Sequence, residues 1–239
     1  MKEDNQYLNL LKANLADEFD KRHDRTIDAT YDGREERNVF AAKLIGSKGP
    51  CRVLNIGGGG ERHLEKHLGQ KYEVYEIDLA GDCDALINLD EINSLPFKDE
   101  EFDIVCAFDV LEHLENFHLI LDEIFRVAKK EVLVSLPNSA YEIIPNVVRN
   151  RPQKRPDEDR GTYSKYYGLP LVSPRDRHRW WLYFGDIIRY FVWFECGKSC
   201  SINFYTPKLS ISQKLVSLVL GKHIYYSFFV PHFWMSIKK

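Results

Sequence analysis

The chain has 239 residues and carries 33 Lys and Arg against 36 Asp and Glu, a formal charge of −3, with 44% apolar residues. That length supports one α/β domain, with or without an insert, and a core that needs no metal or disulfide staple. The near-neutral total argues against a nucleic-acid coat protein, and aromatic residues spread along most of the chain argue against long disordered tails.

Leu8, Leu11, Leu15 and Phe19 recur at three- and four-residue steps, which predicts a helix over about 7–19. A second helix is expected over 35–45, stopping at Gly46. Strand and helix signals then alternate: strand 51–56, helix 61–68, strands 72–77, 85–89 and 102–108, helix 116–128 and strand 131–136. Short apolar strands separated by helices predict an α/β fold, a doubly wound and mostly parallel sheet covered on both faces. The pattern fails between Pro137 and His178, where Pro145, Pro152, Pro156, Pro170 and Pro174 suggest a loop-rich insert. Between Pro145 and Trp180, nine Lys and Arg face four acids, a local charge of +5. An amphipathic helix over 186–194 and strands over 201–205 and 228–237 complete the reading. Residues 1–48 are read as N-terminal helices and 49–239 as one domain with the insert at about 138–182.

The five cysteines (Cys51, Cys83, Cys106, Cys196, Cys200) are odd in number and irregular in spacing, which argues for no disulfide framework. Cys51, Cys83 and Cys106 sit in or beside apolar runs, and the Cys196–Cys200 spacing lacks the second pair that zinc needs. A reducing cytoplasm is the expected compartment. The opening MKEDNQYLNL has no apolar signal segment. The apolar stretch 215–237 is interrupted by Lys222, His223, Pro231 and His232, too broken to span a bilayer.

The run VLNIGGGGE (53–61) leads from a buried strand into four glycines and a helix. Glycine is required where a chain turns tightly and its backbone lies against a ligand. The third glycine of a dinucleotide fingerprint would fall at Arg62, which weakens a pyrophosphate or nicotinamide reading. Asp78 closes the next strand, 21 residues after Gly57, where a carboxylate could accept both ribose hydroxyls. A nucleoside ligand is favoured over a ligand-free turn with a surface Asp.

VLNIGGGGE, then YEIDL, then LPFKDEEFDIVCAFDVLEHL (95–114) resembles the class I S-adenosylmethionine-dependent methyltransferases in order and spacing, over roughly 50–138. The resemblance implies a seven-stranded Rossmann-like methyltransferase sheet, S-adenosylmethionine as cofactor and S-adenosylhomocysteine as product. It implies that Asn55, Gly57, Gly58 and Gly59 wrap the cofactor. Asp78 would hold the ribose beside Leu79, with Glu76 a lesser substitute. Asp90 and Glu91 would lie beside the adenine and Asp109 at the methionine end. The family's first motif, Asp/Glu-x-Gly-x-Gly-x-Gly, is altered here to Asn55 at its start and Glu61 at its end. That change motivates the alternative of a catalytically inactive, methyltransferase-like binding or regulatory protein.

Candidate acceptor groups lie beyond the fourth strand. Asp109-Val-Leu-Glu112-His113 is similar to the E-x-x-E-H cluster of metal-assisted small-RNA 2′-hydroxyl and ubiquinone-pathway O-methyltransferases, and His178 follows 65 residues after His113. His113, Glu112 and His178 are the candidate catalytic groups. A divalent ion on Asp109, Glu112, His113 and His178 is the less favoured alternative, and a purely structural Glu112–His113 pair is the third reading. The basic insert could cover an anionic acceptor, with Tyr163, Tyr166, Tyr167, Trp180 and Trp181 stacking on sugar or base rings. Tyr167-Gly-Leu-Pro170 and Asp176-Arg-His-Arg-Trp-Trp181 resemble, more loosely, methyltransferases associated with polysaccharide biosynthesis. The expected function is O-methylation of a polar or anionic small-molecule or glycan acceptor, such as a sugar of a nucleotide- or lipid-linked glycan, rather than of a nucleic acid. A metal-assisted RNA 2′-hydroxyl methyltransferase is kept as an alternative. The aromatic tail over 225–234 offers a peripheral membrane contact, although a last core strand is the favoured reading.

Overall fold

The structure, a computed structural model, describes residues 13–31, 33–149 and 177–239. Helices α1 (Leu15–Arg22) and α2 (Arg34–Gly46) precede a seven-stranded sheet: β1 (Arg52–Ile56), β2 (Glu73–Asp78), β3 (Ala85–Leu86), β4 (Phe102–Phe108), β5 (Ala128–Pro137), β6 (Ser201–Tyr205) and β7 (His232–Lys238). Between the strands lie α3 (His63–Leu68), α4 (Phe117–Val127), α5 (Ser139–Val148), α6 (Phe184–Lys198), α7 (Ile211–Leu220) and α8 (Lys222–Phe229). The strand order is β3-β2-β1-β4-β5-β7-β6, parallel except that β7 runs antiparallel to both neighbours. This is the mostly parallel, doubly wound Rossmann-like sheet that the alternating sequence predicts.

Strand periodicity sorts side chains onto two faces. Leu54, Val105, Ala107, Val132, Val134 and Met235 pack under α1, α4, α6 and α8. Val53, Ile104, Cys106, Leu133 and Trp234 pack under α2 and α3. On the first face Phe19 is fully buried among the rings of Phe184, Phe204, Tyr226 and Phe233. Truncating such a ring costs about 3–5 kcal/mol. Helix α1 starts at Leu15 because Asn14 caps it, its side chain accepting the Ala16 N–H. The part of the expected first helix before residue 13 lies outside the described residues.

Three expectations need correction, and one helix was not expected. The stretch 138–182 is not loop throughout: Ser139–Val148 is helical despite Pro145, and it buries Ala140 and Ile143. Within that insert the expected basic and aromatic residues from 150 to 176 lie outside the described residues. The strand expected over 228–237 begins only at His232, because Lys222–Phe229 forms a helix. Residues 211–220, left without an assignment in sequence, form α7. The strand expected over 85–89 pairs at Ala85 and Leu86 alone. The five cysteines are all free, with Cys106 buried and Cys51 and Cys83 half-buried.

Candidate functional site

β1 delivers the glycine turn to the C-terminal edge of the sheet, where open α/β folds bind ligands. Gly57, Gly59 and Gly60 adopt positive φ (69°, 86° and 64°), conformations closed to most side chains. Gly58 is needed for space: a Cβ there would sit 2.3 Å from Glu76 Oε2 and 2.5 Å from Asn55 Nδ2. A Cβ at Gly57 would meet Val110 Cγ2 at 2.3 Å, so the loop after β4 lies directly against the turn.

Asp78 closes β2 beside this turn. Its carboxylate accepts the Gly59 N–H at 2.7 Å and the Leu79 N–H at 2.6 Å. Leu79 itself is 66% exposed, an apolar surface next to the carboxylate. Asp90 lies further along the same edge, accepting the Glu115 N–H at 2.9 Å, while Glu91 accepts from Asn88 Nδ2 at 2.7 Å.

Asn55 and Glu76 form a buried pair beneath the glycines, Asn55 Nδ2 donating to Glu76 Oε2 at 2.8 Å. Burial pushes the Glu76 carboxyl up from its ordinary value, against the lowering effect of Asn55. Asn55 Oδ1 and Glu76 Oε1 are buried with no hydrogen-bond partner among the described residues. Glu76 is therefore no substitute for Asp78 on a ribose: it faces inward, and the acidic group missing from position 55 is found on the neighbouring strand.

A second cluster lies beyond β4. Asp109 has left-handed backbone (φ 53°), its N–H donating to the Ser135 carbonyl at 3.1 Å. A short 3-10 turn, Leu111–His113, follows. Arg179 N–H donates to the Glu112 carbonyl at 2.8 Å and Trp180 Nε1 to the Leu114 carbonyl at 2.6 Å, clipping the 177–183 segment onto this turn. That clip delivers His178. Its Nε2 and the Nε2 of His113 each lie 3.9 Å from Glu112 Oε1, and the two rings meet edge-on at 4.6 Å. Glu112 and His178 are buried, whereas the His113 side chain is 32% exposed.

Three of the four alternative metal donors thus come together, with ligand atoms all within 4.8 Å of one another. Asp109 does not join them: it is ion-paired with Arg37 and accepts the Ser135 hydroxyl at 2.6 Å. One carboxylate and two imidazoles fit a divalent cation of the borderline class. Sequence reasoning missed Arg34 and Arg37 altogether. Arg34 Nη1 lies 2.5 Å from the position of a Cβ on Gly59, placing a guanidinium over the turn. No local motif signals this, since it depends on how α2 docks 25 residues away.

A cavity of about 590 Å³ opens between α4 and α6, close in sequence to His178 through Trp180 and Trp181. Trp180, Trp181, Tyr190, Trp193 and His118 line it, with Asp186 and Arg189 ion-paired at 3.0 Å on its wall.

Comparison with known proteins agrees with this geometry. A family model described as a methyltransferase domain matches residues 54–136. A search of curated proteins finds no match. Among solved structures, the chain is similar to a SAM-dependent methyltransferase from Archaeoglobus fulgidus, with TM-score 0.54, 15% identity, and 87% of this chain and 95% of that one covered. It is also similar to the methyltransferase domain of bacterial CtHen1, with TM-score 0.53, 15% identity and coverage of 86% and 98%. At such identities the likeness speaks for the fold, and the family match speaks for the domain that carries the glycine turn, Asp78 and the Glu112–His113 pair. Residues 54–136 thus match a methyltransferase domain, and the chain shares the fold of S-adenosylmethionine-dependent methyltransferases.

Proposed function

We propose that the chain is an O-methyltransferase that moves the S-adenosylmethionine methyl group to a hydroxyl of a sugar-containing acceptor, such as a nucleotide- or lipid-linked glycan. The observation that carries this reading is the convergence of Glu112, His113 and His178 at the sheet edge beside the glycine turn. Methyl transfer to oxygen forms a C–O bond, breaks the sulfonium S–CH₃ bond and releases the hydroxyl proton. A group must hold that proton, and a partly exposed imidazole within reach of a buried carboxylate is suited to do so. His113 is assigned this role, with Glu112 orienting it and His178 walling the site. Asp78 would hold the ribose hydroxyls, Leu79 would face the adenine, and Arg34 would meet the methionine carboxylate. The main catalytic contribution is alignment of oxygen, methyl carbon and sulfur with water excluded.

The same trio could hold a divalent cation, which would lower the acceptor hydroxyl's pKa when bound. This supports a second reading, in which the acceptor is an RNA 2′-hydroxyl, as in the small-RNA enzymes with a similar cluster. The aromatic cavity favours the sugar acceptor. Among the described residues lining it, Arg189 is the one Lys or Arg, and it is paired to Asp186. A nucleic-acid strand needs several phosphate contacts, whereas stacked aromatic rings suit the face of a sugar.

Transfer of a labelled methyl group to a panel of sugar nucleotides, lipid-linked saccharides and short RNAs tests the proposal. A methyl ether on a sugar hydroxyl is expected, with His113→Ala and His178→Ala lowering kcat while leaving S-adenosylhomocysteine affinity unchanged. Label on nitrogen, carbon or carboxyl groups, or on RNA alone, would overturn it.

A further inference from the structure

We propose that α7, with the basic cavity at its flank, docks in the plane of an anionic phospholipid bilayer. Ile211, Leu215, Leu218 and Val219 recur at i, i+4, i+7 and i+8, one helical stripe, yet they are 64–86% exposed and α7 buries no residue. A surface helix normally turns its apolar stripe to the core; this one turns it to solvent. Helix α8 packs against α7 and adds exposed Ile224, Phe228 and Phe229. The helix does not depend on packing to form at its start. Ser210 caps it through the Gln213 N–H at 3.3 Å, and the Gln213 side chain accepts the Ser210 N–H at 2.9 Å.

Charge identifies the occupant. From Cys196 to Lys239 the chain has six lysines and no Asp or Glu. A cavity of about 500 Å³ between α7 and the segment after α1 is lined by Arg25, Lys208, Lys214 and Lys222, with no carboxylate among its lining residues. Three acids lie nearby: Asp20, bonded to Arg25 and Lys222, Asp24, which accepts the Thr26 N–H, and Asp28, which accepts the Lys208 N–H. Four cations against three carboxylates leave the site positive. Leu218 belongs both to the cavity wall and to the apolar stripe, so a headgroup phosphate and acyl carbons would meet on one edge. A second copy of the chain fits less well, because a self-paired patch would bring two sets of lysines together. At ten residues α7 is about 15 Å long, half the length of a bilayer span, which makes it an interfacial helix.

The test is flotation of the full chain with phosphatidylcholine vesicles, with and without phosphatidylglycerol. Recovery with anionic vesicles is expected, falling with added salt and absent from pure phosphatidylcholine. Lys214→Gln should lower partitioning about fivefold. Leu215→Asp and Leu218→Asp, both at exposed positions, should abolish it without moving the urea midpoint. Recovery independent of lipid charge, recovery unaffected by the two Asp substitutions, or soluble glycerophosphate bound as tightly as vesicles would overturn the proposal. So would self-association in sedimentation that the same substitutions abolish. S-adenosylhomocysteine binding is read in parallel, so that a failure here is distinguished from a failure of the methyltransferase reading.

Discussion

Replacing Gly58 by alanine probes the glycine turn where sterics, rather than backbone freedom, exclude a side chain. Gly58 does not have the positive φ of its neighbours, so the added methyl is penalised only by what it meets. It would lie 2.3 Å from Glu76 Oε2 and 2.5 Å from Asn55 Nδ2, two groups bonded to each other and each 1% exposed. Neither can swing into solvent. Overpacking costs about 1–3 kcal/mol, and parting a buried hydrogen-bonded pair costs a further 1–3 kcal/mol or so. The expected loss is about 3 kcal/mol, a fall in melting temperature of roughly 8 °C for a chain of this size. S-adenosylhomocysteine affinity should drop about tenfold as the turn shifts. Gly69→Ala is the control: its φ is 77° with nothing within 4 Å of the added Cβ. It should cost about 1–3 kcal/mol through conformation alone and leave affinity unchanged. Urea denaturation and titration calorimetry on both variants provide the measurement. Gly58→Ala within about 0.5 kcal/mol of wild type, with unaltered affinity, would refute the packing argument.

Three further outcomes are expected. Arg34→Ala should weaken S-adenosylhomocysteine about tenfold but leave 5′-methylthioadenosine, which lacks the carboxylate, unaffected; calorimetry with both ligands checks this. Burial holds the His23 imidazole down at about 4, so between pH 6.5 and 4 the unfolded chain takes up a proton that the folded chain refuses. Stability should fall across that window by about 2 kcal/mol, with the ring's partial exposure allowed for, and His23→Gln should flatten the urea midpoint against pH. If the Glu112–His113–His178 trio holds a cation, chelator should abolish methyl transfer and magnesium or manganese should restore it, whereas the metal-free base predicts full activity in chelator.

The parallel half of the sheet was legible because β1 and β4 are short, mostly apolar runs and β1, β2 and β4 are each closed by glycine or aspartate. The ordered motifs tied Asp78, the glycines and the Glu112–His113 pair to one edge, and the structure brings His178 beside that pair. That Asp109 stays apart from the Glu112–His113–His178 group was not legible, because its sequence position cannot reveal that Arg37, 72 residues earlier, pairs with its carboxylate. Pro145 read as a breaker, although buried Ala140 and Ile143 hold its helix on the sheet. Phe228 and Phe229 have the β-propensity of a strand but end a helix, since packing of Tyr225 and Tyr226 against the core overrides local preference. The stripe on α7 was hidden for a related reason, as apolar periodicity alone cannot say whether a stripe faces core or solvent.

The central claim is that the glycine turn and Asp78 grip the adenosyl group of the methyl donor. Isothermal titration of S-adenosylhomocysteine into the wild-type chain and Asp78→Ala tests it directly. Loss of a charged acceptor shared by two ribose hydroxyls should cost about 2–4 kcal/mol, a weakening of roughly 30- to 1,000-fold. A folded wild-type chain that binds no S-adenosylhomocysteine, or an Asp78→Ala variant that binds it as tightly as wild type, would contradict the account.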